Sequence, residues 1–197
     1  MTANCWENEN LIRTLKAGGV AVMPTDTIYG IVGSALKPDT VGRIYAIRKR
    51  NLDKRCIILI SDITELEKFG IHLPFEEKNL LRGYWPALPR TKEDKKSPVS
   101  IIIDCPEEEF SYLHRSTNTL AFRVPEDGEL KFLLASVGPL VAPSANTEGM
   151  PPARNIGEAR KYFGDQVDLY IDGGEISGNA SKVIKLNSDG LATVLRP

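Results

Sequence analysis

Gly18-Gly19-Val20-Ala21-Val22-Met23-Pro24-Thr25-Asp26-Thr27-Ile28-Tyr29-Gly30 passes from a glycine pair through an apolar run into a segment carrying two hydroxyls, a carboxylate and a phenol. The pattern predicts a short buried strand over 20–23 that delivers a polar turn over 24–29, with Gly30 allowing an unusual backbone angle. Upstream, residues 1–17 read as a helix stopped by the glycine pair. Downstream, a helix opens at Pro38 and spaces Val41, Ile44, Tyr45 and Arg48 along one face, so its apolar stripe ends in a guanidinium. The alternation continues outward. Strands are expected over 56–60, 99–104, 120–124, 140–142, 169–171, 182–186 and 192–195, and helices over 63–69 and 75–82. A further helix lies between Asp127 and Gly138, and another opens on a capping box of Asn155 with Glu158. Strands alternating with amphipathic helices define an α/β chain, and one domain over 1–197 is the expectation.

Composition narrows the class. The chain has 197 residues, 42% hydrophobic and 26% charged, with a formal net charge of −1, so a nucleic-acid or membrane partner must be met by a local patch if at all. The three cysteines, Cys5, Cys56 and Cys105, are far apart and odd in number, which fits neither a disulfide framework nor a structural zinc site. The first ten residues are polar and acidic, unlike a secretory signal, and no apolar run approaches a membrane span; the expected location is cytoplasmic. His72 and His114 lack companions at metal-ligand spacing and are expected at the surface; no metal-binding residue is assigned. Walker A, GxSxG and HExxH motifs are absent.

Four features could carry chemistry. In the turn above, Thr25, Asp26 and Thr27 either face a ligand or satisfy local amides as an ST-turn. Arg43, Arg48, Lys49, Arg50, Lys54 and Arg55 gather against a single acid, Asp53. Such a cluster suits a triphosphate, an RNA backbone or a solvated helix C-terminus. Third, Thr119-Leu120-Ala121-Phe122-Arg123-Val124-Pro125 places an arginine inside an apolar strand, where it must reach an anion or a cavity. Fourth, Pro139-Leu140-Val141-Ala142-Pro143-Ser144-Ala145-Asn146 ends a strand in a Ser-x-Asn turn, at the ligand-facing end of an α/β sheet. Cations and hydroxyls without a nucleophile suggest catalysis by positioning and charge neutralisation.

Taken in order, these elements resemble the YrdC-like family of threonylcarbamoyl-AMP synthases in its single-domain form. The elements are GG-V-x-V-x-PTDTIYG, the pair Arg48 and Arg50 with Lys54 beyond, TLAFRVP, GPLVAPSAN, Ser181-Lys182-Val183-Ile184 and Leu195-Arg196-Pro197. The resemblance implies a twisted open mixed sheet with flanking helices around a large basic cavity. It implies that Thr25, Thr27, Arg123, Ser144 and Ser181 serve L-threonine. It likewise implies that Arg48, Arg50, Lys54, Thr119, Asn146, Arg154 and Arg196 serve ATP, with Arg50 and Lys54 as positioning groups and no covalent nucleophile. The implied activity is a nucleotidyltransferase that forms L-threonylcarbamoyl-AMP from L-threonine, bicarbonate or CO₂, and ATP, releasing pyrophosphate. Mg²⁺ is expected on the ATP phosphates, tRNA is a possible contact, and a downstream threonylcarbamoyl transferase would take the product for tRNA modification.

The sequence departs from the family in two places. Residues 87–97, rich in Lys and Arg, read as a loop inserted after Trp85-Pro86, where the family has Trp-Pro-Gly-Pro. Arg55 stands where the family often has proline. The competing reading is a non-catalytic RNA- or tRNA-binding module using the same cations; it does not require a strand arginine such as Arg123. A related carbamoyl-adenylate activity, as in hydrogenase-maturation proteins, comes with cysteine-rich zinc motifs that this sequence lacks.

Overall fold

The computed structural model describes residues 5–85, 98–186 and 192–196. In chain order the strands are β1 (Ala21–Pro24), β2 (Tyr29–Ser34), β3 (Ile57–Leu59), β4 (Val99–Asp104), β5 (Thr119–Arg123), β6 (Leu140–Val141), β7 (Leu169–Tyr170), β8 (Lys182–Leu186) and β9 (Ala192–Arg196). The α-helices are α1 (Glu9–Ala17), α2 (Pro38–Arg48), α3 (Phe75–Tyr84), α4 (Ser111–His114), α5 (Gly128–Val137) and α6 (Ile156–Phe163). Among the described residues the strands form one open mixed sheet in the order β7-β1-β2-β6-β3-β5-β4-β8-β9. β3 and β5 run parallel, whereas β5 and β4 are antiparallel with Ile101 opposite Phe122 and Ile102 opposite Ala121.

Strand parity divides the apolar residues between two faces. Val20, Val22, Ile58, Ile60, Ile101, Leu120 and Phe122 belong to one core, against α2 and the 3₁₀ segment Ile63–Phe69. Ala21, Met23 and Leu59 belong to the other, against Leu11 and Leu15 of α1 and Leu130, Leu133 and Leu134 of α5. Among the described residues, α1 and α5 cover this second face from β1 through β2 and β6 to Leu59 of β3. Along β3, β5, β4 and β8 the residues of that parity, Ile57, Ala121, Arg123, Ile102 and Val183, line a cavity instead. An arginine can thus occupy an apolar strand because its parity turns it away from the packed core.

Several expectations are corrected. Tyr29–Ser34 is a six-residue buried strand, unpredicted because Gly30 and Gly33 dilute its apolar signal. Gly33 is needed for close approach, since a Cβ there would lie 2.4 Å from the Thr40 methyl of α2. Gly30 is not among the residues with positive φ; a Cβ there would press on Thr25 at 3.2 Å, so it serves proximity and not an unusual angle. The helix expected over residues 63–69 is present with those bounds and is of the 3₁₀ type. The capping box is half formed: the Asn155 side chain accepts from Glu158 N, but the Glu158 carboxylate accepts from Arg154 N at 2.8 Å. His114, expected at the surface, is 2% exposed. The 87–97 stretch lies outside the described residues. Among those residues no helix is long and apolar enough to cross a membrane, and the three cysteines are free thiols.

Candidate active site

A cavity of about 720 Å³ opens above the uncovered part of the sheet, a volume suited to a small-molecule ligand. Its floor is the strand parity just described. Its walls are the Thr25–Thr27 turn, the loop 50–55, the 142–144 turn, Ala180-Ser181, and Leu195-Arg196 of β9.

The polar turn satisfies its own local groups and also borders the cavity. Thr25 Oγ1 donates to the Ile28 carbonyl at 2.7 Å and lies 3.0 Å from Thr27 Oγ1, an ST-turn arrangement. Both threonines are nevertheless on the cavity wall. Asp26, between them, accepts from Arg123 Nη2 at 2.8 Å, and the two side chains are 8% and 5% exposed. Burial pulls the Arg123 guanidinium below its usual range, and the Asp26 charge opposes that pull. Arg123 Nε is buried with no partner among the described residues.

The 50–55 loop is folded around one of its own cations. Arg50 Nε donates to the Lys54 carbonyl at 3.1 Å and Nη2 to the Arg55 carbonyl at 2.7 Å. Lys54 pairs with Glu148, whose carboxylate also accepts from the Asn51 amide. Across the cavity, Arg196 donates to the Ser181 carbonyl from Nε at 3.0 Å and from Nη2 at 2.6 Å. Ser181 Oγ is 2.8 Å from Ser100 Oγ. Partial burial, with the Arg123 charge adding to it, lowers the Arg196 pKa. No carboxylate of the described residues pairs with Arg50, Arg55 or Arg196, so the cavity holds a local excess of positive charge inside a nearly neutral chain.

Of the residues singled out from sequence, Thr25, Thr27, Arg50, Lys54, Arg123, Ser144, Ser181 and Arg196 meet on this cavity. Arg48, Thr119, Asn146 and Arg154 are not on its wall. Arg48, 2% exposed, sits behind the 144–146 turn, bonded to Asn146 and Ser144. Burial, with Arg50's charge adding to it, lowers its pKa to about 10. Asn146 spends its amide on the Thr147 and Met150 carbonyls at 2.9 and 2.7 Å. Thr119, at the start of β5, accepts from Arg55. Arg154 is on the exterior, paired with Glu175, both side chains about 60% exposed. Direct phosphate contact from the Asn146 amide, as expected from sequence, would require it to leave these partners, whereas Arg48 keeps a buried Nη1 with no partner among the described residues. Sequence reading counted Arg55 in the basic cluster without assigning it a role in the site, and it did not pair Asp26 with Arg123. Strand parity was the available signal for Arg123's direction; nothing local signalled its partner.

Among the described residues no cluster of three or more His, Cys, Asp or Glu could hold a metal by itself. Asp53 is the cavity's carboxylate-bearing wall residue, and one carboxylate together with substrate phosphates is a donor set that Mg²⁺ accepts.

An open mixed sheet with part of one face bordering a cation-lined cavity defines an α/β protein with a concave, positively charged site. The family model described as "Telomere recombination", covering the Sua5, YciO and YrdC proteins, matches residues 13–197, and the chain belongs to that family. A putative threonylcarbamoyl-AMP synthase of Mycobacterium tuberculosis is 28% identical over 186 residues, 94% of this chain and 81% of that protein. The crystal structure of Pyrococcus abyssi Sua5 complexed with L-threonine superposes with a TM-score of 0.81 at 27% identity, covering 98% of this chain and 54% of that one. The chain therefore spans about half of that relative. Escherichia coli YciO shares the fold, with a TM-score of 0.75 at 23% identity over 95% of this chain and 86% of that one.

Proposed function

We propose that the chain is a nucleotidyltransferase that makes L-threonylcarbamoyl-AMP from L-threonine, bicarbonate or CO₂, and ATP. The observation that carries the reading is the convergence on one cavity of a paired-threonine turn, a buried strand arginine and three guanidiniums without carboxylate partners among the described residues. The names of the relatives, and the L-threonine held by P. abyssi Sua5, support it.

In this reading Thr25 and Thr27 line the amino-acid end, Arg123 faces the substrate carboxylate, and Ser144 and Ser181 close the neighbourhood. The amine adds to CO₂, losing a proton, and leaves a carbamate; from bicarbonate the same step releases water. A carbamate oxygen then bonds to the α-phosphorus of ATP while the bond to the pyrophosphate oxygen breaks. Negative charge stays on oxygen throughout, which is why fixed cations and no nucleophile are the suitable equipment. Arg50, with Lys54 and Arg196, is placed to hold the phosphates. Mg²⁺ bound to them, with Asp53 as its protein ligand, would screen their charge. One methyl separates threonine from serine, worth about 1–3 kcal/mol in an apolar pocket.

Calorimetry tests the reading. ATP and L-threonine should each bind, and each should tighten the other; a chain that binds tRNA but neither small molecule would be the non-catalytic module instead. The further steps, transfer to tRNA by a partner transferase in the cytoplasm, are what the family resemblance implies and belong to the same proposal.

A further inference from the structure

Arg55 belongs to the cavity wall but not to the set expected there. Its Nη1 donates to Thr119 Oγ1 and, at 3.3 Å, to Thr117 Oγ1. Its carbonyl is held by Arg50 Nη2 at 2.7 Å, so the loop carrying Arg50 fixes the backbone from which Arg55 projects. Two hydroxyls orient a guanidinium without neutralising it, and no carboxylate of the described residues does so. The turn supplying them is unusual: Arg115, Ser116 and Asn118 all have left-handed backbone, with φ of 50°, 62° and 51°. Non-glycine residues adopt that region at a cost in strain, so the fold holds the hydroxyls beside Arg55 against a local preference.

We propose that Arg55 binds a phosphate group of the nucleotide, with Thr117 and Thr119 as positioning residues that aim its guanidinium. The inference rests on the proposed function and adds to it a cation beyond Arg50 and Lys54. A polyphosphate fits this position better than an amino-acid carboxylate. Arg55 shares its loop with Arg50 and Lys54, while the strand arginine beside the threonine pair is Arg123. A guanidinium fork also matches phosphate oxygens in two directions at once. Thr119 then influences the nucleotide through Arg55 and not by touching it.

The test is titration calorimetry of the purified chain with ATP and with inorganic pyrophosphate, on wild type, Arg55→Ala, Arg55→Lys and Thr119→Val. Loss of a charged hydrogen bond predicts roughly 10- to 100-fold weaker ATP and pyrophosphate binding for Arg55→Ala. L-Threonine affinity should be unchanged, Arg55→Lys should recover only part of the loss, and Thr119→Val should fall between wild type and Arg55→Ala. Should Arg55→Ala not fold, Arg55→Gln gives the same reading. ATP and pyrophosphate binding at wild-type strength in folded Arg55→Ala overturns this inference and leaves the proposed function standing. So does a loss confined to tRNA binding. Wild-type chain that binds no ATP overturns both.

Discussion

Arg48 and Asn146, 98 residues apart in sequence, hold each other: Arg48 Nε donates to the Asn146 carbonyl at 3.0 Å and Nη2 to its Oδ1 at 3.1 Å. The Arg48 carbonyl in turn accepts from the Glu148 amide at 2.9 Å. The C-terminus of α2 is thereby tied to the turn that carries Ser144, and the Glu148 at its end holds Lys54. Two residues that resemble ligand contacts in sequence act in this structure as the brace behind the wall.

Arg48→Ala should therefore destabilise the chain by about 1–3 kcal/mol, because it strands buried acceptors on Asn146. Arg50→Ala, whose partners are carbonyls of an exposed loop, should cost less than about 1 kcal/mol while doing more damage to nucleotide binding. Urea unfolding of the two variants checks the order.

Asp26 and Arg123 form a buried pair, and breaking such a pair from one side leaves a lone charge. Asp26→Ala and Arg123→Ala should each cost roughly 3–5 kcal/mol. The double variant should cost clearly less than their sum. A double-mutant cycle by denaturant unfolding measures the coupling; additive losses would mean the pair does not matter to folding.

The segment from Gly173 to Ser181 is strapped over the polar turn. Tyr29 Oη donates to the Gly174 carbonyl at 2.8 Å and accepts from the Gly173 amide at 2.9 Å. Further along, a Cβ on Gly178 would fall 2.0 Å from the Thr27 carbonyl oxygen. Gly178→Ala must lift the strap from the turn, and Tyr29→Phe loosens its anchor by about 1 kcal/mol. Both should raise the KM for L-threonine several-fold with little change in the KM for ATP, in steady-state assays varying each substrate.

Asp168 accepts from Arg43 Nη1 and, at 2.7 Å, from the Val20 amide at the start of the sheet. Hydrogen bonding from Arg43, then from Val20, holds its carboxyl below the usual range. A depressed carboxylate contributes stability that is present above its unfolded value, roughly pH 4, and lost as pH falls through the folded one. Asp168→Asn should lower stability by up to about 1 kcal/mol at pH 7, since the pair is part-exposed. The difference from wild type should vanish in acid, and unfolding from pH 3 to 7 follows it.

The framework was legible wherever the signal was local. The Asp127 cap and Gly138 stop bound α5, whose side chain–backbone cap to Glu129 and Leu130 is present. The apolar run of β4 was placed residue for residue at Val99–Asp104. β2 was not legible, because two glycines required for packing weaken the pattern they serve. His114 was misplaced because polarity of the neighbouring sequence says little about burial. In the site, each polar element was visible, but which arginine faces the cavity was not. Arg48 and Arg50 are two residues apart, yet one braces the wall and one lines it. That outcome depends on contacts to Asn146 and to the 54–55 carbonyls, fixed only when distant segments meet.

Pyrophosphate release by the purified chain, with L-threonine and bicarbonate added or withheld, tests the central claim most directly. Wild type should release pyrophosphate from ATP only when both are present, and folded Arg50→Ala should release at least about 100-fold less, the scale of losing a charge-stabilising donor. Release indifferent to L-threonine, or undiminished in Arg50→Ala, would contradict the account.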